Sequence, residues 1–226
     1  TMGKQRVAIT RCLHQGTNFA QAAATELLED FDVQFVLVVG IAGGVPTADF
    51  TLGDVVISSD IVDLTVEDTG TEFPRYSAKG LQLLIDAGRI VEQLPAVLRG
   101  VDWGTVGPRP SFAGEHTTRD AAWNKSIDES FAHHHETGRA NPIARPGGIA
   151  SSDRLVKDPT VIISWRLVLK GIVAAEMEAA GAGLACFRRN VAFLAVRGIS
   201  DIIGWKRNEQ WTLYACKTAA VAARFL

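Results

Sequence analysis

The sequence predicts a three-layer α/β/α sandwich built on a mixed central sheet, and three observations carry the prediction. Short runs dominated by apolar and β-branched residues recur at 32–39, 52–58, 171–175 and 191–199, the pattern of strands covered on both faces. Segments with helical spacing of apolar residues fall between them, as layered α/β folds require. The 226 residues are 47% hydrophobic and 21% charged, with no internal repeat and no Pro/Gly-rich linker, so a single domain over residues 1–226 is expected.

Taken in order, 5–10 (QRVAIT) is β-prone and predicts an opening strand that ends at the polar cluster Arg11 to Gly16. Thr17 and Asn18 then offer capping side chains to a helix over 19–29. The buried strand 32–39 runs into Gly40-Ile41-Ala42-Gly43-Gly44, which reads as a tight glycine loop. A second buried strand covers 52–58, a helix 81–94 and a short strand 101–106. From Pro108 to Pro146 the periodicity is lost, which predicts a long surface excursion with His133, His134 and His135 on a solvated loop. Order resumes at 147–153, followed by a helix at 160–169, the strand 171–175, a small-residue helix at 178–187, the strand 191–199 and a final helix at 209–225.

Composition excludes several functions. Lys plus Arg is 23 and Asp plus Glu is 25, giving a net charge of −2 with no basic stripe, so nucleic acid is not an expected partner. No apolar run approaches the roughly 20 residues that cross a bilayer, and the first residues lack the apolar stretch of a signal peptide. Cys12, Cys186 and Cys216 are odd in number and unpaired by spacing, which points to a reducing, cytoplasmic setting. Neither a metal nor an organic cofactor is expected, since no ligand set has zinc-type spacing and neither GxGxxG nor the P-loop pattern occurs.

The polar groups that could carry chemistry cluster after apolar strands, the edge at which open α/β sheets bind ligands. Gly40 to Gly44 brings backbone close to a ligand, or is a turn that needs positive φ. Glu176-Met177-Glu178 places two carboxylates where a strand passes into a helix. They can accept from the two hydroxyls of a sugar diol, or simply favour the helix dipole. Arg197-Gly198-Ile199-Ser200-Asp201 ends another strand with an aspartate that can act as general acid, or cap a helix, or pair with Arg197.

Together the blocks VVGIAGGVP (38–46), LGDVVIS (52–58), IASSDRLV (149–156), AAEMEAAG (174–181) and AVRGISD (195–201) resemble the nucleoside phosphorylase and nucleosidase superfamily, in particular methylthioadenosine/S-adenosylhomocysteine nucleosidases. Gly16-Thr17-Asn18 and the tail from Asn208 to Cys216 resemble a branch found as modules of immune-receptor-like and antiphage proteins. The resemblance implies a phosphorylase/hydrolase-like fold and hydrolysis of the bond between a purine, adenine above all, and ribose. In it Asp201 faces N7 of the base, Glu178 holds the 2′ and 3′ hydroxyls, and Met177 packs on the sugar. Leu155 and the Val156 backbone meet the base, and Glu176, Arg197 and Ser200 support them. Ile41, Ala42 and Gly43 lie along the ribose or water. The small-molecule nucleoside or nucleotide is the implied partner, along with further copies of the chain in a homo-oligomer.

The sequence departs from the family pattern in three places. Ile41 stands where a small hydroxyl residue is common, and Val38 where bacterial purine phosphorylases carry a phosphate-binding arginine, which favours hydrolysis over phosphorolysis. The family opens with a strand carrying a water-activating acid, and this sequence is expected to begin at a later strand, either as an excised part of a longer chain or with another group supplying the base. With Ile41, this makes a catalytically silent nucleoside-sensing module of a larger protein the rival expectation. Arg139, Arg145 and Arg154 lie where a 5′ substituent could be met.

Overall fold

The computed structural model describes residues 6–65, 67–68, 75–76, 79–81 and 85–226. The chain runs through α1 (Thr17–Asp30), β1 (Phe35–Gly44), β2 (Val55–Asp63), β3 (Glu67–Asp68), β4 (Arg75–Tyr76), β5 (Lys79–Leu81) and α2 (Ile85–Val97). Two 3₁₀ turns (Leu98–Gly100 and Trp103–Thr105), β6 (Gly114–His116), α3 (Ala121–Glu136), β7 (Ala144–Ser151) and α4 (Pro159–Val168) follow. The last elements are β8 (Ile172–Glu176), α5 (Ala179–Arg188), β9 (Ala192–Ile202), β10 (Trp205–Arg207) and α6 (Gln210–Ala223).

The main sheet has the order β5-β2-β7-β8-β1-β9-β10-β6, with an extra pairing of β2 to β9. That pairing closes β2, β7, β8, β1 and β9 into a ring. β1 runs parallel to β9, and β2 and β8 run parallel to β7, while the two groups meet antiparallel at β1–β8 and β2–β9. The sheet is therefore mixed, as expected.

Alternation along the strands builds the three layers. In β9, Ala192, Leu194 and Val196 join Val55 and Ile57 of β2 against α2 and α6, in a cluster with Ala87, Leu94, Ala219 and Ala222. Their neighbours Phe193, Ala195 and Val56 face the other way, into the cluster that α1, α4 and α5 cover with Ala20, Ala24, Ile162, Trp165, Ala182 and Cys186. A period of two thus sends each apolar run into both layers, and each fully buried Leu or Ile contributes about 1.5–3 kcal/mol. Trp205 and Trp211 are both buried packing residues.

The structure differs from the sequence reading in four places. Residues 6–10 form no strand and are exposed; a β-prone run becomes a strand only where a neighbouring strand takes its backbone groups, and 6–10 pair with none of the described strands. The strand expected at 101–106 is instead a 3₁₀ turn, because the Asp102 side chain accepts from the Gly104 amide at 2.9 Å. The glycine stretch 40–44 is strand to its end. The surface excursion contains α3, so the three histidines are helical and His134 is buried.

Candidate active site

None of Gly40, Gly43 and Gly44 has positive φ, so a turn does not explain them. What they provide is room for side chains from β9. A Cβ at Gly40 would overlap Nη1 of Arg197, and one at Gly43 would stand 3.2 Å from Oδ2 of Asp201 and 3.3 Å from Cγ1 of Ile203. The backbone of β1 thus lies directly beneath the two charged groups of the AVRGISD block.

The ladder sets these groups level with one another. Ala150 of β7 pairs with Ala175 of β8, Ala175 with Gly43 of β1, and Gly43 with Asp201 of β9. At a strand spacing of about 4.8 Å, the two steps from Ala175 to Asp201 span about 10 Å. The β1–β9 register shifts between Ala42 and Gly43, where Ala42 pairs with Ile199 and Gly43 with Asp201. Such bulges re-aim side chains. The unpaired residue is Ser200, whose hydroxyl donates to Asp201 Oδ1 at 2.6 Å and lies 3.4 Å from the Ala42 carbonyl oxygen.

Glu176 and Glu178 stand at the mouth of β8 and have different partners. Glu176 is buried and accepts from the Glu178 amide at 3.0 Å, from the Ala179 amide at 2.9 Å and from Arg197 Nη2. Its carboxylate is spent on the N-terminus of α5 and on the Arg197 guanidinium, which is itself buried. Among the described residues Glu178 has only Arg197 Nη2, at 3.4 Å, as an ion-pair partner, and it keeps 22% of its side chain exposed. Burial raises its pKa above 4.5; Arg197 opposes the rise, Glu176 adds to it, and the Gly16 and Met177 backbones oppose it. It is the carboxylate with acceptors to spare.

The remaining predicted residues differ in exposure. Met177 and Ile41 are half-buried and Ala42 is buried. Leu155 is 67% exposed beyond the end of β7, while Val156 packs against the core. Ser151, next to Glu176 in the ladder, accepts from the Ala180 amide at 3.0 Å. The arginines considered for a 5′ substituent divide: Arg139 is committed to Asp54 at 2.9 Å and to His134 Nδ1 at 3.0 Å, whereas the exposed Arg145 lies 3.9 Å from Asp49. Among the described residues no group of three or more His, Cys, Asp or Glu could hold a metal ion.

One structural part of the site was missed in the sequence. α3 spans the loops that follow β1 and β9: the Trp123 indole N–H donates to the Ile203 carbonyl at 2.7 Å, and the Ser130 hydroxyl donates to the Thr47 carbonyl at 2.7 Å. His134 Nε2 lies 3.1 Å from the Thr47 and Phe50 carbonyls while Nδ1 faces Arg139, which fixes the neutral tautomer with its proton on Nε2. Burial lowers its pKa from 6.5. Asp120, whose side chain accepts from Ala122 and Trp123 amides, was the available signal for this helix.

Two surface grooves lie elsewhere. One, of about 400 Å³, runs between residues 7–10 and α1, and the other, of about 260 Å³, lies between Asp102 and Phe225. Neither is lined by a predicted site residue.

Comparison with known proteins gives a consistent result. The sequence model of the Phosphorylase superfamily matches residues 1–226. The 5′-methylthioadenosine/S-adenosylhomocysteine nucleosidase of Marinomonas sp. (strain MWYL1) is 26% identical over 195 residues, covering 86% of this chain and 68% of that protein. An "ATP nucleosidase Cap17" of Escherichia coli (strain KTE188) is 26% identical over 220 residues, covering 89% of this chain but 37% of that protein. The crystal structure of the Neisseria meningitidis nucleosidase in complex with methylthio-immucillin-A superposes with a TM-score of 0.62 at 18% identity, covering 93% of this chain and 76% of that one.

Proposed function

The chain belongs to the Phosphorylase superfamily, and from that premise we propose that it hydrolyses the N-glycosidic bond of an adenine nucleoside or nucleotide. The carrying observation is a pairing of two facts at the end of β8: the bulged β1–β9 register brings Asp201 level with Ala175, and Arg197 with the α5 amides occupies Glu176 and leaves Glu178 the carboxylate of its pair with free acceptors. Asp201, steadied by Ser200, hydrogen-bonds N7 and delivers a proton to the departing purine. Leaving-group protonation of this kind contributes about 10²–10⁴-fold. Glu178 accepts from the 2′ and 3′ hydroxyls, and its negative charge favours the oxocarbenium-like centre that grows at C1′ as the bond stretches. Met177 and Ile41 supply apolar surface beside the sugar, and Leu155 and the Val156 backbone meet the base.

Water is the favoured acceptor of the sugar. The guanidinium within the cluster, Arg197, is already paired with Glu176 and Glu178, and Val38 and Ile41 add no positive charge along β1. The relatives named as methylthioadenosine/S-adenosylhomocysteine and ATP nucleosidases support an adenine-bearing substrate.

The test is to incubate the protein with methylthioadenosine, adenosine, AMP and ATP, with and without inorganic phosphate, and to follow free adenine by chromatography. Release without phosphate is the expected result, and Asp201→Asn is expected to lower kcat by about 10²-fold or more while retaining binding. Release only with phosphate makes the reaction phosphorolysis, and tight binding with no release from any substrate makes the domain a sensor.

A further inference from the structure

The segment between β7 and α4 reaches back to the start of α1. Asp153, two residues beyond β7, accepts two hydrogen bonds from Thr17 through one oxygen: Oδ1 lies 2.6 Å from the Thr17 amide and 2.6 Å from its hydroxyl. Gly16, at the N-cap of α1, has φ 118° and ψ 154° and provides no side-chain cap. L side chains rarely adopt that backbone, so the helix takes its cap from Asp153 instead of from the residue before it. On the opposite side of this crossing the Thr17 carbonyl packs against Gly181 of α5 so closely that no Cβ fits. Gly181 lies in the first turn of α5, three residues after Glu178, the N-cap of that helix, so the pinned Thr17 carbonyl bears on the turn that carries the Glu178 carboxylate.

We propose that Asp153 is a positioning residue: by pinning the Gly16–Thr17 crossing between itself and α5, it sets where the Glu178 carboxylate stands relative to the sugar hydroxyls. The inference rests on the sugar-gripping role of Glu178 proposed above. Asp153 is an exposed side chain, and exposed carboxylates contribute little to stability through charge. Its two short bonds matter through the loop they place. Misplacing a binding group by about 1 Å is enough to cost about 10²-fold in rate.

The experiment compares Asp153→Ala, Asp153→Asn, Glu178→Gln and the double variant Asp153→Ala/Glu178→Gln, using whichever substrate of the panel above is cleaved fastest, with melting temperatures recorded alongside. Asp153→Ala is expected to lower kcat/KM by about 10-fold or more. Asp153→Asn keeps an oxygen for Thr17 and is expected to restore most of that loss. In the double variant the Asp153 substitution is expected to add little to the loss from Glu178→Gln, the mark of two residues acting as one unit. If Asp153→Ala is folded at the assay temperature and as active as the parent, or if the two losses multiply, the positioning role is overturned while the function stands. If Glu178→Gln leaves turnover intact, the reading of Glu178 fails and the inference falls with it.

Discussion

Glu176 and Glu178 are two positions apart and have opposite electrostatic fates. The first is neutralised by Arg197 and the amides that open α5; the second is partly desolvated with a single cation at 3.4 Å. A carboxyl whose folded pKa is raised gives its stabilisation in full below its unfolded value and loses it as pH rises through the folded one. For Glu178, raised above 4.5 first by burial, the ionised form therefore costs stability at neutral pH. Glu178→Gln is expected to raise the melting temperature at neutral pH, with the gain shrinking as pH falls toward 4.5 and below, while adenine release is lost; scanning calorimetry across pH checks the sign. The E-M-E motif was legible in the sequence, but which glutamate was free was not. That depended on Arg197, 21 residues away in sequence. The glycines of 40–44 were misread for the same reason, since the atoms they make room for belong to β9.

Among the elements, α3 decides how firmly the site's loops are held. Its first turn takes the Ile203 carbonyl through Trp123, and its later turns take the Thr47 carbonyl through Ser130 and His134. Ile203 follows Asp201 by two residues, and its amide donates to the Gly44 carbonyl at 3.0 Å. Trp123→Phe keeps most of the apolar contact and leaves the buried Ile203 carbonyl without that donor. It is expected to lower stability by about 1–3 kcal/mol and to lower kcat with it, read by urea unfolding and by adenine release. The helix escaped the sequence reading because His134 occupies a buried position where an apolar residue would have extended the period set by Trp123 and Ile127. A polar residue satisfied by distant carbonyls looks, in sequence, like a solvated one.

At the scale of the whole molecule, closure of the ring converges on Asp54. Its backbone carbonyl accepts from the Ile199 amide at 2.8 Å, which joins the start of β2 to β9. Its fully buried carboxylate accepts from Arg109 and Arg139 at 2.9 Å, from the Thr51 amide at 2.9 Å and from the Ile143 amide at 3.1 Å. One side chain thereby ties together β2, the segment before β6 and the segment that leads into β7. Removing it would strand two guanidinium groups, so Asp54→Ala is expected to destabilise the fold by about 3–5 kcal/mol in equilibrium unfolding. Adding methionine at both arginines to Asp54→Ala is expected to recover part of that loss, because no buried charge is then left unpaired.

What the sequence determined by itself was local: the alternation of strand and helix, the mixed layered architecture, and the set of polar residues that follow the apolar strands. These are legible because a period of two or of 3.6 and the capping side chains act within a few residues of one another. The tertiary structure alone decided that β2 pairs with β9, that 40–44 continues as strand, that α3 braces the site, and which carboxylate remains unspent. Each of those outcomes turns on contacts between residues far apart in the chain, whose ladder register and side-chain packing are fixed only when the layers come together.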